Sequence, residues 1–340
     1  MGSVKDLFVI KSPEKEKSGI GRFIFSDRYS VFDWGEMPDH IKDKGKSICI
    51  STSYFFEKIE EMGIKTHYIG IVDVDGKVKK LNEIKEPTNI IEFKMLRVLK
   101  PEIRGNTFDY LIYKKEKKNF LIPLEVIYRN YLPEGSSVFK RLKEGTLKPE
   151  DLGLKKMPEP GQKLEKPIID ISTKLELTDR YINWKEAKEI ADLSDDEIEE
   201  IKMKTMKIND VITKEAEKIG LINEDGKVEF GFDENRNLVL VDAVGTLDEC
   251  RFTYNRIPVS KEIARIYYRK TEWYKKVEEA KKKDKIEWKK YVDIHPPNLP
   301  EGLFKAISDI YRSYANEITG KKWFNAPPLR KILVEIEKYI

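Results

Sequence analysis

Along the first 85 residues the apolar positions come in short runs separated by turn-forming and charged clusters, a pattern of strands rather than helices. "LFVIKSPEKEKSGIGRFIFSD" predicts a hairpin with a long polar tip, and "YIGIVDVDGKVKKL" a second hairpin around an Asp-Gly turn. One helix interrupts them: "ICISTSYFFEKIEEM" has amphipathic spacing and stops at Gly63. Further on, "FDYLIYKKEKKNFLIPLEVIYRNYL" reads as a hairpin with a lysine-rich tip, and the proline-rich residues 147–167 as a loop. A long helix is expected from the capping box Ser194-Asp-Asp-Glu197 to Gly220. Helices close the chain, broken by "HPPNLP" at 295–300. Strands first and helices later predict an α+β protein with a sheet-rich front lobe and a mixed rear lobe.

Between that long helix and the closing ones lies "KVEFGFDENRNLVLVD" (227–242), which predicts a hairpin. A tip near Asn235-Arg236 puts Phe230 opposite Val241 and Phe232 opposite Val239 on an apolar face. The same register sets Glu229 opposite Asp242 on the other face, where two like charges roughly 5 Å apart repel. A divalent cation between them would turn repulsion into chelation, and Mg²⁺ characteristically takes one or two carboxylates together with substrate phosphates. Two solvated acids on an exposed sheet face are the bland alternative. Gly231, which would leave room for a ligand, and Lys227, which could hold phosphate oxygens, share that predicted face.

Composition narrows the classes. The chain has 340 residues, 40% of them hydrophobic and 36% charged, enough for one large domain or two lobes. Lys and Arg total 64 against 60 acids, so the net charge of +4 gives no whole-molecule signal for nucleic acid or membrane. Two cysteines and three histidines cannot make a disulfide framework or a usual zinc site, which points to a reducing cytoplasm. No apolar run approaches the roughly 20 residues that span a bilayer, and the start of the chain has no signal-peptide core. Residues 261–290 are locally basic, with twelve Lys/Arg against six acids, and hold Tyr267, Tyr268, Trp273, Tyr274 and Trp288. A nucleic-acid surface would use such a mixture. The aromatics fall near helical spacing, so the expectation is a helix whose aromatic side packs on the body.

Two further clusters could hold anions. In "FSDRYSVFDWGEMPDHIKDKGKS" (25–47), Lys44-Gly45-Lys46 could grip an anionic substrate, or be an ordinary solvated loop. In "EVIYRNYLPEGSSVFKR", Arg129, the Gly135-Ser136-Ser137 loop, Lys140 and Arg141 are the parts a phosphate monoester needs.

Taken in order, "GSVKD" (2–6), "SDRYSVFD" (26–33), "KGKS" (44–47), "KTHYIG" (65–70), "IPLEVIYRN" (122–130), "GSSVFKR" (135–141), "STKLE" (172–176), "KVEFGF" (227–232), "LVLVD" (238–242) and "DECRF" (248–252) resemble the successive motifs of the SAICAR synthetase family, the phosphoribosylaminoimidazole-succinocarboxamide synthases. The resemblance covers most of 1–252 and returns at 299–320, so 253–298 looks like a helical insertion, 100–119 like another, and 321–340 like an extra tail. It implies a two-lobed, protein-kinase- or ATP-grasp-like α+β fold, with an antiparallel-sheet lobe at 1–122, an α+β lobe at 123–340 and ATP between them. It also implies a ligase that uses ATP and Mg²⁺ to join the carboxylate of carboxyaminoimidazole ribonucleotide to L-aspartate through an acyl phosphate. A carboxylate repels an incoming amine, and γ-phosphoryl transfer removes that charge.

By the same resemblance, Lys5 and Lys174 would contact ATP phosphates, and backbone around Leu124 and Glu125 would hold adenine. Glu229 and Asp242 would bind the metal, and Lys227 would neutralise the transferring phosphoryl group. Arg129, Ser136 and Arg251 would hold the substrate's phosphate and carboxylate, Asp33 would face its aminoimidazole or its metal, and Asp225 would accept the amine's proton. Departures gather at the acceptor sites: Asp242-Ala243 stands where Asp-Glu is usual, Cys250 where serine is expected, and Asp179 is the sole remnant of an acidic run after "STK". A related ligase with a different amine or carboxylate, and a kinase-like body that binds RNA through 253–298, are the alternatives. The oligomeric state is open.

Overall fold

The computed structural model describes residues 4–105, 107–176, 178–284 and 287–339; Gly2 and Ser3 of the first motif lie outside them. The chain opens with β1 (Lys5–Lys11) and β2 (Gly19–Phe25), the antiparallel pair expected around the polar tip. Helix α1 (Lys44–Glu61) follows, then β3 (Tyr68–Val72), β4 (Val78–Lys79) and β5 (Ile90–Met95). These strands form one sheet in the order β1-β2-β5-β3-β4. Its outer strand β1 leaves Leu7, Phe8, Val9 and Ile10 exposed.

Helix α1 ends as predicted, with Gly63 left-handed at φ 77°, but it begins earlier than the apolar pattern suggested. "KGKS" is its first turn rather than a solvated loop. The Asp27 carboxylate accepts from the amides of Asp43 and Gly45 at 3.2 and 3.0 Å, satisfying donors at the helix start. A Cβ on Gly45 would lie 2.5 Å from the Phe25 carbonyl oxygen, so only glycine lets this turn press against the end of β2.

The next segment departs from the expected lysine-tipped hairpin. After a small ribbon of β6 (Glu102–Arg104) and β7 (Thr107–Asp109), "LIYKK" is a short helix, α2 (Leu111–Lys115), leading into one long strand, β8 (Phe120–Leu132). Tyr113 supplies the reason: its ring is fully buried and its hydroxyl donates to the Leu99 carbonyl at 2.6 Å. Helix α3 (Ser137–Lys143) starts at Ser136, whose hydroxyl accepts from the Val138 amide. Of the expected loop 147–167, the last six residues belong instead to β9 (Gln162–Thr173). Its register against β8 shifts between Lys163 and Ile168, where Pro167 interrupts the ladder.

Next come β10 (Tyr181–Ile182), α4 (Trp184–Ala191) and α5 (Asp195–Lys218), the last with the predicted Ser194/Glu197 capping box. The remaining elements are β11 (Ile222–Phe232), β12 (Leu238–Val241), β13 (Cys250–Tyr254), β14 (Ile257–Pro258), α6 (Glu262–Arg269), α7 (Glu272–Lys283), α8 (Glu301–Thr319) and α9 (Leu329–Ile336). A second antiparallel sheet runs β10-β9-β8-β11-β13-β14, with β12 also on β11. The α+β class expected from the sequence is therefore present.

The aromatic residues of 261–290 turn inward, as their spacing predicted. Trp273 and Tyr268 are buried, and Trp34 packs edge-on against Trp273 at 5.4 Å between centroids. Trp288 lies 6.0 Å from Trp34, and the exposed positions of this segment carry charges of both signs, among them Glu272, Lys275, Glu279 and Lys282.

Candidate active site

Strand alternation gives β11 two unlike faces. Val228 and Phe230 enter the core, while Asp225, Lys227 and Glu229 face the other way. Cross-strand register extends that second face. Glu229 pairs with Glu125 and Lys227 with Ile127 on β8, Asp225 pairs with Arg129 on β8 and Arg251 on β13, and Ser172 and Asp170 follow on β9. One sheet face thus carries acids and bases in alternating rows, and it resolves into two poles.

At the first pole, Lys227 Nζ lies 2.8 Å from Glu125, 3.6 Å from Glu229 and 3.5 Å from Glu249. Lys174 Nζ is 2.5 Å from Glu229 Oε1 and 4.0 Å from Asp242 Oδ2, and Lys5 pairs with Asp242 from β1 of the other sheet. Burial works against the Glu229 charge, but Lys174, Lys227 and Lys5 outweigh it and hold the carboxyl below its usual range. Burial raises Glu125, with Lys227 opposing and Glu229 adding to the rise. Loss of solvent pushes the Lys5 ammonium down to about 8. His67, also buried, lies with Nε2 3.1 Å from the Asp242 carbonyl oxygen, and its pKa falls to about 3, so the neutral ring donates there.

The hairpin register differs from the predicted one. Glu229 pairs with Val241, Phe230 with Leu240, Gly231 with Val239 and Phe232 with Leu238. The cause is a five-residue turn, Asp233–Asn237, closed by Asp233 N–H donating to the Asn237 carbonyl, with Arg236 left-handed at φ 59°. Asp242 still reaches the Glu229 side because its own φ of 65° turns it out of strand geometry. The room expected at Gly231 is filled: an added Cβ would lie 2.3 Å from Leu96 Cδ1. Leu96, Val239 and Val241, with Leu121 against them, form a small apolar cluster beside the first residues of β8. Leu124 itself is buried and pairs with Thr173 of β9.

The second pole is built on arginine. Arg129 is 2% exposed, and its guanidinium lies 3.1 Å from Asp225 and 3.1 Å from Asp170. It also donates to Ser136 and Ser137 hydroxyls at 3.3 Å each. Burial opposes its charge, yet Asp225 and Asp170 more than compensate and raise its pKa. Arg251 meets Asp225 at 2.8 Å and Arg141 meets Asp170 at 2.5 Å. The sequence-stated substrate residues Arg129, Ser136 and Arg251 are therefore brought together. Arg129 and Arg251 both donate to the same oxygen of Asp225, Oδ2. Four residues of β8 separate Glu125 from Arg129, so the poles stand roughly 13 Å apart along the strand.

Asp33 is not in contact with either pole. Its side chain is exposed and pairs with Lys281 of α7 at 3.2 Å. Lys44, offered as an anion grip, is fully buried against Asp248 at 2.7 Å, and Asp248 accepts from Tyr311 at 2.6 Å. Sequence reasoning missed Glu249, His67 and Asp170 as parts of the site. Glu249 and His67 both stood inside quoted motifs, "DECRF" and "KTHYIG", but neither was given a role there.

The residues fit a divalent cation. Glu229 and Asp242 converge on one ammonium, Lys174, which marks a point where both carboxylates can meet a single positive charge. Both donors are oxygens, as Mg²⁺ requires. Among the described residues no group of three or more His, Cys, Asp or Glu could hold a metal, so phosphate oxygens would complete the shell.

A family model described as SAICAR synthetase matches residues 1–284. A protein of Archaeoglobus fulgidus, provisionally named a phosphoribosylaminoimidazole-succinocarboxamide synthase, is 53% identical over 340 residues, covering 100% of both chains. The Thermoplasma acidophilum phosphoribosylaminoimidazole-succinocarboxamide synthase is 35% identical over 308 residues, 88% of this chain and 93% of that one. In fold, the chain is similar to a SAICAR synthetase solved in complex with ADP, at a TM-score of 0.60 and 24% identity over 95% of this chain and 97% of the other. It is also similar to the Saccharomyces cerevisiae SAICAR synthase complexed with SAICAR, at a TM-score of 0.65 and 21% identity over 95% and 94%.

Proposed function

The chain belongs to the SAICAR synthetase family, and from that premise we propose how its charged sheet performs the reaction. It is an ATP-dependent ligase of purine biosynthesis, joining the carboxylate of carboxyaminoimidazole ribonucleotide to the amine of L-aspartate at the expense of ATP. The lysine-rich pole is the phosphoryl-transfer end. ATP lies there with its purine against Leu96, Val239 and Val241 and the backbone of Ile122–Glu125, reaching Leu124 and Glu125. Lys5 and Lys174 meet its phosphates, and Glu229 and Asp242 hold Mg²⁺. That ion would supply positive charge to the phosphate oxygens during transfer.

The arginine pole is the substrate-nucleotide end. Arg129, Arg251 and Ser136 bind its phosphate, while Asp225 and Asp170 orient the guanidiniums. Lys227 belongs to the lysine pole, two residues along β11 from Asp225 of the other. It neutralises charge on the transferring phosphoryl group as the substrate carboxylate attacks and ADP leaves. The aspartate amine then attacks the acyl carbon, the C–O bond to phosphate breaks and phosphate departs, and the proton lost by the amine passes to Asp225. Asp33 lies at the imidazole, and the 1–122 and 123–340 lobes close on the nucleotides. A cytoplasmic location goes with this reading; among the described residues no helix is long and apolar enough to cross a membrane.

The observation that carries the assignment is the convergence of Glu229 and Asp242 on a single ammonium. The test is ADP release with each substrate omitted in turn, repeated with Glu229→Gln. Release should need both carboxyaminoimidazole ribonucleotide and L-aspartate, and should fall by about 100-fold or more in the variant while its thermal unfolding remains cooperative. Full turnover in Glu229→Gln would remove the metal assignment.

A further inference from the structure

The loop that carries Asp33 has an unusual backbone. Phe32 and Asp33 are consecutive non-glycine residues in the left-handed region, at φ 56° and 61°. Aspartate tolerates that region; a phenylalanine there persists only where its surroundings fix it. The fixing surface is the α6–α7 segment. The Phe32 ring packs on Tyr274 at 4.5 Å and on Trp273 at 6.2 Å between centroids, with the Arg269 guanidinium on the ring. Upstream, the Tyr29 and Tyr268 hydroxyls share a hydrogen bond of 2.8 Å. Lys281 of α7 closes the arrangement: its ammonium donates to the Phe32 carbonyl at 2.9 Å and to the Asp33 carboxylate at 3.2 Å, while lying 4.7 Å from the centre of Trp288.

Asp33 is thereby held in place without touching the sheet itself. It lies within electrostatic reach of Asp179, which also feels the lysine pole: loss of solvent chiefly raises the Asp179 carboxyl, and the Asp33 and Glu229 charges add to that rise against Lys227 and Lys174.

We propose that Lys281 is a positioning residue for the ligase reaction: by gripping the Phe32 carbonyl and the Asp33 carboxylate together, it sets Asp33 against the imidazole end of the substrate nucleotide. The proposal rests on the ligase reading and gives the basic segment 261–290 a use other than binding nucleic acid. Lys281 acts on Asp33, not on ATP, so its loss should separate the two Michaelis constants.

Steady-state kinetics of Lys281→Met, Lys281→Arg and Asp33→Asn test it. In Lys281→Met the KM for carboxyaminoimidazole ribonucleotide should rise about three- to tenfold, the loss of one or two charge-assisted hydrogen bonds. KM for ATP and the melting temperature should stay at wild-type values, and Lys281→Arg should restore most of the affinity. Combined with Asp33→Asn, the Lys281→Met change should add little. An unchanged KM for the ribonucleotide in Lys281→Met, or equal rises in both KM values with a lower melting temperature, overturns the proposal. If Asp33→Asn alone has no effect, the placement of Asp33 fails and the proposal with it. If wild-type turnover does not need the ribonucleotide, the ligase reading itself fails.

Discussion

Glu224 shows how a single residue next to the site is tuned by its surroundings. Burial first, then the neighbouring Asp225 charge, push its carboxyl up to about 7, with Arg251 and Thr253 only partly opposing. A carboxyl whose folded pKa lies above its unfolded value favours the fold while protonated, so its contribution is complete below about pH 4.5 and lost as pH rises through 7. Glu224→Gln is neutral at every pH. It should therefore raise the unfolding free energy by about 1–3 kcal/mol at pH 8 and leave it unchanged near pH 4.5, as read by urea denaturation at both values. Legibility also varied residue by residue. Arg129, Ser136 and Arg251 were expected to share a site, and the strands that carry their motifs do bring them close together around Asp225. The Lys44–Asp248 pair was invisible, since it joins residues far apart in sequence, and a basic loop and a buried lysine look alike in one dimension.

At the scale of elements, the hydrophobic pattern located α1, α5 and the β1–β2 pair well, because long periodic segments and caps are local signals. It misread α2, where apolar and charged residues in five positions suit a strand or a helix equally and only the burial of Tyr113 decides. The β11–β12 register slipped by one because loop length, not composition, sets the pairing. Helix α1 provides the test at this scale. Gly45→Ala forces a methyl group against the Phe25 carbonyl, so despite alanine's better helix propensity it should cost about 1–2 kcal/mol. A gain in urea resistance would mean that the helix start is not pressed against β2 in solution.

For the whole molecule, the lysine pole is where the two sheets meet: Lys5 comes from the first, Glu229 from the second, and Asp242 follows β12. Without nucleotide, lysines are the counterions of the two acids. At the proposed metal site, Mg²⁺ arriving alone would have to displace an ammonium, whereas with ADP the lysines could move to phosphate. Mg²⁺ with ADP should thus raise the melting temperature of the wild type, and Mg²⁺ alone should do little. Lys174→Met should lower stability by about 2–3 kcal/mol through the uncompensated Glu229 charge, and Mg²⁺ alone should restore much of it. Differential scanning fluorimetry with each addition reads both effects. An equal response of the two proteins to Mg²⁺ alone would show that Lys174 does not compete with the ion.

The pleat of β8 and β11 has a further consequence. A strand cannot stretch, so in the proposed binding mode the interval between Glu125 and Arg129 would work as a ruler laid along the ligand, graduated in pairs of residues. A molecule anchoring its anion at the far mark would be measured off to the reacting atom at the near one. A nucleoside without its phosphate would have no zero from which to be measured. On that reading the sheet selects by length before any group chemistry begins.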